Sequence, residues 1–284
     1  MAVLADVERF AAMGTRVELH RFGEGDPAAL AGARRAIEAV DDALTIHRPS
    51  ATTVLNERLL AGQEAAVDDP LLLKALVTID EAHRATLGLF DPAADRRLGA
   101  AGWGDILLDR EAGRIRAATP LALDFGGFGK GFALDLACVA LRAAGVRSAC
   151  LSAGESSIAV VGEHPLGGGW PFAIPHPLRP GQTLLELELN DEAMSISSTV
   201  GAGVDAPERA PMIRPGYAAP VTRRRCTVAI DRLGARAEAM STALIVADDD
   251  RAIRLLSGRP NRNFLFDLSQ EAAMPVPPSR MSLQ

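Results

Sequence analysis

Between Asp124 and Gly131 the chain reads Asp124-Phe125-Gly126-Gly127-Phe128-Gly129-Lys130-Gly131, four glycines and a lysine in eight residues. Glycine permits positive φ and lets a ligand come close to the main chain. A helix that starts just beyond such a turn offers unpaired N–H groups and the positive end of its dipole, which favour phosphate. Lys130 adds a mobile positive charge, and Asp135, one turn into the helix, is placed to accept hydrogen bonds from ribose or adenine. The stretch is not a P-loop. Asp124 stands where that pattern needs its first glycine, and Gly131 follows the lysine where it needs Ser or Thr, so the magnesium-binding hydroxyl is missing. On spacing alone two readings stay open: a phosphate cradle, and a tight strand-to-helix turn whose glycines serve only packing.

The elements around this loop must hold it in place. Residues 121–125 are predicted as a short strand feeding the loop, 132–145 as the helix after it, and 148–152 as a buried strand behind. Upstream, the alternation in Thr15-Arg16-Val17-Glu18-Leu19-His20 predicts a half-buried strand within 10–22. Leu30, Ala33, Ile37, Val40 and Leu44 recur at helical spacing over 27–44, and a second helix runs over 70–87 until Gly88 stops it. Strands are expected at 158–161, 171–174 and 183–189; in the last, Leu185, Leu187 and Leu189 oppose Glu186 and Glu188. Residues 203–220 carry Pro207, Pro211, Pro215 and Pro220 and read as a long loop. A strand at 226–231, helices at 235–246 and 249–256, and a strand at 263–268 close the pattern. With no repeat and no linker, the expectation is one α+β domain of mixed sheets and helices over 1–271, then a disordered tail over 272–284.

Composition narrows the function classes. The chain has 284 residues, 48% hydrophobic and 23% charged, as a folded protein should. Its net charge of −6 gives no electrostatic footprint for nucleic acid, which would need a basic face. No apolar run approaches a membrane span, and Asp6 and Glu8 fall where a signal peptide would have its apolar core. Cys138, Cys150 and Cys226 are too scattered for a zinc site or a disulfide framework, so a reduced, cytoplasmic protein is expected. His47 and His83 read as surface residues, and His164 and His176 are weak as a metal pair. Ser156-Ser157 lacks a hydrolase elbow. Trp103 and Trp170 suit the core better than a flavin ring.

From Asp124 to Asp135 the sequence resembles the ApbE family of FAD:protein FMN transferases, whose loop reads Asp-Leu-Gly-Gly-Ile-Ala-Lys-Gly-Tyr-Ala-x-Asp; Phe125, Phe128, Gly129 and Phe132 are the variations. The likeness continues in order along the chain. Met13-Gly14-Thr15 is similar to the opening Met-Gly-Thr segment, and Asn56 falls where the family has Asn. Thr86-Leu87-Gly88-Leu89-Phe90-Asp91-Pro92 resembles Thr-x-Gly-x-Phe-Asp-Pro, Ala153-Gly154-Glu155 a weakened Gly-Gly-Asp, and Ala237-Glu238-Ala239-Met240-Ser241-Thr242-Ala243 Ala-Asp-Ala-x-x-Thr-Ala. The resemblance implies a T-fold-related flavin transferase fold that binds FAD with Mg²⁺. It implies transfer of FMN to a Thr or Ser of an acceptor flavoprotein, with AMP released. Carried over, it places Met13, Leu89, Phe90, Asp91, Gly126, Gly127, Lys130, Phe132 and Asp135 at FAD. Glu238, Thr242 and the Gly129 carbonyl fall at the metal, with Ser241 a further nearby oxygen, and Lys130 and Glu238 take the catalytic roles.

Two departures stand out. Glu238 replaces an Asp and adds a methylene. The family's His-x-x-Asp-Pro becomes Pro211-Met212-Ile213-Arg214-Pro215, and neither Pro nor Arg serves as a general base. Just upstream, Ser197-Ser198-Thr199 keeps the hydroxyls of Thr-Ser-Gly but not its glycine. Arg214 with Arg223-Arg224-Arg225 reads as a cationic clamp or as a solvated basic surface. A non-catalytic FAD-binding homologue and an FAD pyrophosphatase are the alternatives to a transferase.

Overall fold

In the computed structural model, which describes residues 5–26, 28–93, 101–200, 212–217 and 219–269, the first turn is set by two left-handed residues. Met13 (φ 55°) and Gly14 (φ 66°) join β1 (Ala5–Ala12) to β2 (Thr15–Phe22). A two-residue turn with both φ positive matches the twist of an antiparallel pair. The single strand expected within 10–22 is therefore a hairpin that presents Met13 at its tip.

α1 (Ala28–Leu44) buries Leu30, Ala33, Ile37, Val40 and Leu44, as their spacing predicts. α2 (Ala51–Leu60) was not foreseen, because its apolar pattern is weak. Ser50 starts it: the Ser50 hydroxyl accepts the Thr53 N–H while the Thr53 hydroxyl accepts that of Ser50. After β3 (Ala65–Ala66), α3 (Pro70–Ala85) begins at Asp69, whose carboxylate accepts the N–H groups of Leu71 and Leu72. β4 (Ile106–Asp109) and β3 each pair with β5 (Arg114–Ala117) in a small antiparallel sheet. α4 (Gly129–Ala143), β6 (Ser148–Ala153) and β7 (Ser157–Gly162) follow, then the hairpin of β8 (Trp170–Pro175) and β9 (Thr183–Leu189). β10 (Ala193–Ser198), the short pair β11 (Ile213–Arg214) and β12 (Ala219–Pro220), β13 (Arg225–Asp231), α5 (Gly234–Val246), α6 (Asp249–Gly258) and β14 (Asn263–Asp267) complete the described chain.

One seven-stranded sheet, ordered β1-β2-β6-β7-β10-β13-β14 and antiparallel throughout, organises the fold. On one face Leu19, Leu151, Ala159 and Ala193 pack with α1, α4 and α5 in the main core. On the other, Trp170, Ile174 and Leu189 of the β8–β9 hairpin cover Val160, Met194, Val228 and Ile230 in a second, smaller core. The result is the expected α+β architecture.

One strand goes unforeseen and one sequence expectation fails, each for a physical reason. β10 lies inside the sheet yet shows no apolar alternation, because Ser195 and Ser197 face α5 and bond to the Ser241 hydroxyl there (3.0 and 2.9 Å). Residues 121–125 form no strand. Instead the Asn56 carboxamide donates to the Leu123 carbonyl (2.9 Å) and accepts the Leu123 N–H (2.8 Å), a side chain standing in for a neighbouring strand. Residues 203–211 and 218 of the predicted proline-rich loop, and the tail from Ala272, lie outside the described residues.

Candidate functional site

The glycine loop lies where the predicted cradle requires, at the start of α4. The Asp124 carboxylate accepts the Gly126 N–H (2.8 Å), and the Phe125 carbonyl accepts those of Phe128 and Gly129 (3.0 and 2.7 Å), which winds the turn directly into the helix. Beneath it a row of buried rings gives a rigid floor: Phe128 stacks on Phe90 (6.2 Å between centroids) and on Phe132 (5.2 Å). Close approach fixes two of the glycines. A Cβ on Gly131 would lie 2.2 Å from the Gly234 carbonyl oxygen, so α4 and α5 touch main chain to main chain there. A Cβ on Gly129 would lie 2.7 Å from the Met13 methyl, which brings the β1–β2 turn onto the loop. Packing thus accounts for Gly131, while Gly129 packs against a residue expected at the ligand.

Glu238 is the chemical centre of this junction. It is 3% exposed, and each oxygen of its carboxylate is engaged. Oε1 meets the Lys130 ammonium at 2.6 Å and accepts the Ser157 hydroxyl at 2.9 Å, while Oε2 accepts the Gly131 N–H at 2.7 Å. A buried carboxylate persists only when paired and hydrogen-bonded, and here an ammonium, a hydroxyl and the first turn of a helix all answer it. Lys130 and Glu238, far apart in sequence, are therefore partners. Ser157 is a contributor that sequence reasoning missed, since it was weighed only as a hydrolase nucleophile.

The other expected metal oxygens divide. Thr242 faces the loop, its hydroxyl 3.1 Å from where a Gly127 Cβ would sit. Ser241 is turned away: fully buried, its hydroxyl engages Ser195 and Ser197 and donates to the Glu238 carbonyl (3.0 Å). That hydroxyl belongs to the sheet–helix seam and not to the loop. Among the described residues no group of three or more His, Cys, Asp or Glu side chains gathers to hold a metal. One carboxylate with neutral hydroxyl and carbonyl oxygens suits Mg²⁺ in kind, and such a set holds it together with ligand phosphates rather than alone.

Asp135 is held by the start of α5. Its two oxygens accept the N–H groups of Gly234 (2.6 Å) and Ala235 (3.0 Å), capping α5, whose own N-cap Leu233 has no side-chain acceptor. Burial pushes its carboxyl up to about 6, against the downward pull of those two bonds. In this structure Asp135 is a cap that positions the helix carrying Glu238.

The Thr86–Pro92 motif is knotted by its own hydrogen bonds. The Thr86 hydroxyl accepts the Phe90 N–H (3.1 Å), and His83 Nδ1 lies 2.8 Å from the Phe90 carbonyl. Leu89 and Phe90 are buried, and Asp91 accepts the N–H groups of Trp103 (3.0 Å) and Ala93 (2.8 Å). Burial raises the Asp91 carboxyl above its ordinary range despite these bonds. Phe90 and Phe132 support the loop from below, and Asp91 ties the 102–103 turn to it.

In the basic run, Arg223 pairs with Asp249 (2.5 Å). Arg225 is buried and binds the Ala247 carbonyl (2.6 Å) and Asp249 (3.0 Å) at the end of α5. Arg225 is thus built into the fold, while Arg223 stays at the surface. Arg214 lies on β11, and Pro211 is outside the described residues. Trp103 is buried beside Asp91, and Trp170 anchors the second core. Cys138, Cys150 and Cys226 are unbridged, with burial pushing their thiols up to about 12, 11 and 11. No helix among the described residues is long and apolar enough to cross a membrane.

Known proteins resemble this chain in sequence and in fold. The chain is 33% identical to a Rhodobacter capsulatus protein named FAD:protein FMN transferase, in a match taking in 48% of this chain and 32% of that protein. It therefore spans about a third of that relative's length. The flavin transferase ApbE of Vibrio cholerae superposes with a TM-score of 0.78 at 17% identity, covering 94% of this chain and 98% of that one. The apo flavinyl transferase ApbE of Pseudomonas stutzeri gives 0.76 at 20%, covering 94% and 95%. At these identities the two structures speak for the fold. Residues 93–266, more than half of the chain, match the ApbE family itself, and the chain belongs to that family.

Proposed function

We propose that this chain transfers FMN from FAD to a hydroxyl of an acceptor flavoprotein and releases AMP, with Mg²⁺ assisting. The observation that carries this reading is the pairing of a mobile ammonium with a buried carboxylate at the glycine loop, Lys130 on Glu238 at 2.6 Å, against the Met13 turn. Lys130, on the first turn of α4, reaches from Glu238 to a pyrophosphate laid over the loop. There it offsets negative charge that grows as the phosphoanhydride opens. Phe90, Phe128 and Phe132 keep the loop rigid from below, so little reorganisation accompanies the reaction. Glu238, Thr242 and the Gly129 carbonyl are the oxygens that would hold Mg²⁺, which when bound supplies further charge neutralisation at the phosphates.

Arg214 favours a second reading, an FAD-binding chain with slow turnover, because a guanidinium stands where the family carries an acid. One experiment addresses both. Purified protein is incubated with FAD and Mg²⁺, with and without a candidate acceptor; chromatography follows FMN and AMP, and mass spectrometry follows the acceptor. The expected result is AMP release that EDTA stops, at a rate roughly 10²–10⁴-fold below that of a relative with the intact motif, the usual contribution of a general base. FAD recovered unchanged in every arm would remove the transferase reading.

A further inference from the structure

Glu238 is answered by three groups, and only one of them is able to leave. Ser157 is 2% exposed on β7, and the Gly131 N–H belongs to the main chain of α4. The Lys130 side chain is 20% exposed and hangs from a flexible stem with a rotatable ammonium. An ammonium at 2.6 Å from Oε1 stands where a divalent ion would take its only protein charge. Two cations on one buried carboxylate repel strongly in so dry a place. The remaining oxygens do not compensate: Thr242 and the Gly129 carbonyl are neutral, and the Ser241 hydroxyl is committed to Ser195 and Ser197.

We infer that Lys130 occupies the divalent ion's place on Glu238 until the pyrophosphate of FAD draws it away, so that ion and FAD bind as a cooperative pair. This rests on the reading of the loop as an FAD site. Before FAD arrives, the ammonium satisfies the buried carboxylate and excludes the ion. When phosphate oxygens arrive, Lys130 exchanges a carboxylate for a phosphate, Oε1 is freed, and the phosphates add the donors that the protein lacks. The coupling is reciprocal: whatever factor FAD adds to the ion's affinity, the ion adds to FAD's.

The test titrates Mn²⁺ into the purified 284-residue chain and follows free Mn²⁺ by electron paramagnetic resonance, without FAD and at saturating FAD, correcting for Mn²⁺ bound by free FAD. Flavin fluorescence measures FAD affinity with and without Mn²⁺. The wild type is expected to bind Mn²⁺ at least tenfold more tightly with FAD, and FAD by a matching factor with Mn²⁺. Lys130→Met is expected to bind Mn²⁺ without FAD at least tenfold more tightly than the wild type. Equal Mn²⁺ affinity with and without FAD overturns the inference while FAD binding stands, as does a folded Lys130→Met that gains nothing. If that variant does not fold, Lys130→Gln and the wild-type comparison decide. Absence of FAD binding in all arms overturns the proposed function and this inference with it.

Discussion

Replacing Asp135 with Asn tests whether the carboxylate that caps α5 is held there at an electrostatic cost. Its carboxyl is raised from 3.8 to about 6 because burial outweighs two N–H bonds. A difference of about 2 units is roughly 3 kcal/mol between the protonation states. The sign follows from which state holds the proton. With the folded value above the unfolded one, the folded chain keeps a proton between about pH 4 and 6 that the unfolded chain has lost, so stability falls as pH rises through that window. Roughly half of the 3 kcal/mol should be lost between pH 5 and 7.5, since the unfolded carboxyl is already mostly ionised at pH 5. Asn does not titrate. One oxygen still accepts from Gly234 or Ala235 while its amide opposes the other N–H, as the O–H of the protonated wild-type carboxyl does at low pH. Urea denaturation of both proteins at pH 5, 6 and 7.5 should show the wild type losing about 1.5 kcal/mol relative to the variant across that range. Wild-type and variant stabilities that run parallel with pH would refute the reasoning, because the carboxyl would then titrate as an ordinary one.

Two further substitutions probe the scaffold. Gly131→Ala places a methyl 2.2 Å from the Gly234 carbonyl oxygen, so α4 and α5 must separate. Overpacking of this kind costs about 1–3 kcal/mol or more, and thermal melting should record a clear drop; an unchanged midpoint would show that the helices do not meet there. Asn56→Ala leaves the Leu123 N–H and carbonyl without their partner. Each such buried group costs about 1–3 kcal/mol, so urea denaturation should show the loss, and FAD affinity by fluorescence should fall because the glycine loop starts one residue on. A variant as stable as the wild type would mean that water replaces the carboxamide fully.

Where local chemistry sets local structure, the chain was legible. Helical spacing placed α1 and α3, strict alternation placed β9, and the glycine–lysine run placed the turn into α4. The site's residue types were legible through the same loop and the likeness around it. Spatial pairing was not. That Lys130 meets Glu238, and that Asp135 caps α5, depends on α4 and α5 packing together, and sequence separation carries none of that. β10 was hidden because its inward serines find hydroxyl partners on α5 and need no apolar face. The stretch before the loop looked like a strand because Asn56 gives it a strand's hydrogen bonds without a strand beside it. Ser50 and Thr53, by contrast, form a capping pair whose spacing does announce α2.

The convergence of Met13, Gly129 and Glu238 also orders events during synthesis. β1 and β2 emerge first, the glycine loop and Lys130 near the middle of the chain, and α5 late. Contacts between segments so distant form only after long stretches of chain have been closed into loops. A nascent chain that ends before α5 has its lysine without the acid that answers it, and its α4 without the glycine of α5 on which it rests. The site would therefore be complete in a ribosome-bound chain only once α5 has cleared the exit tunnel.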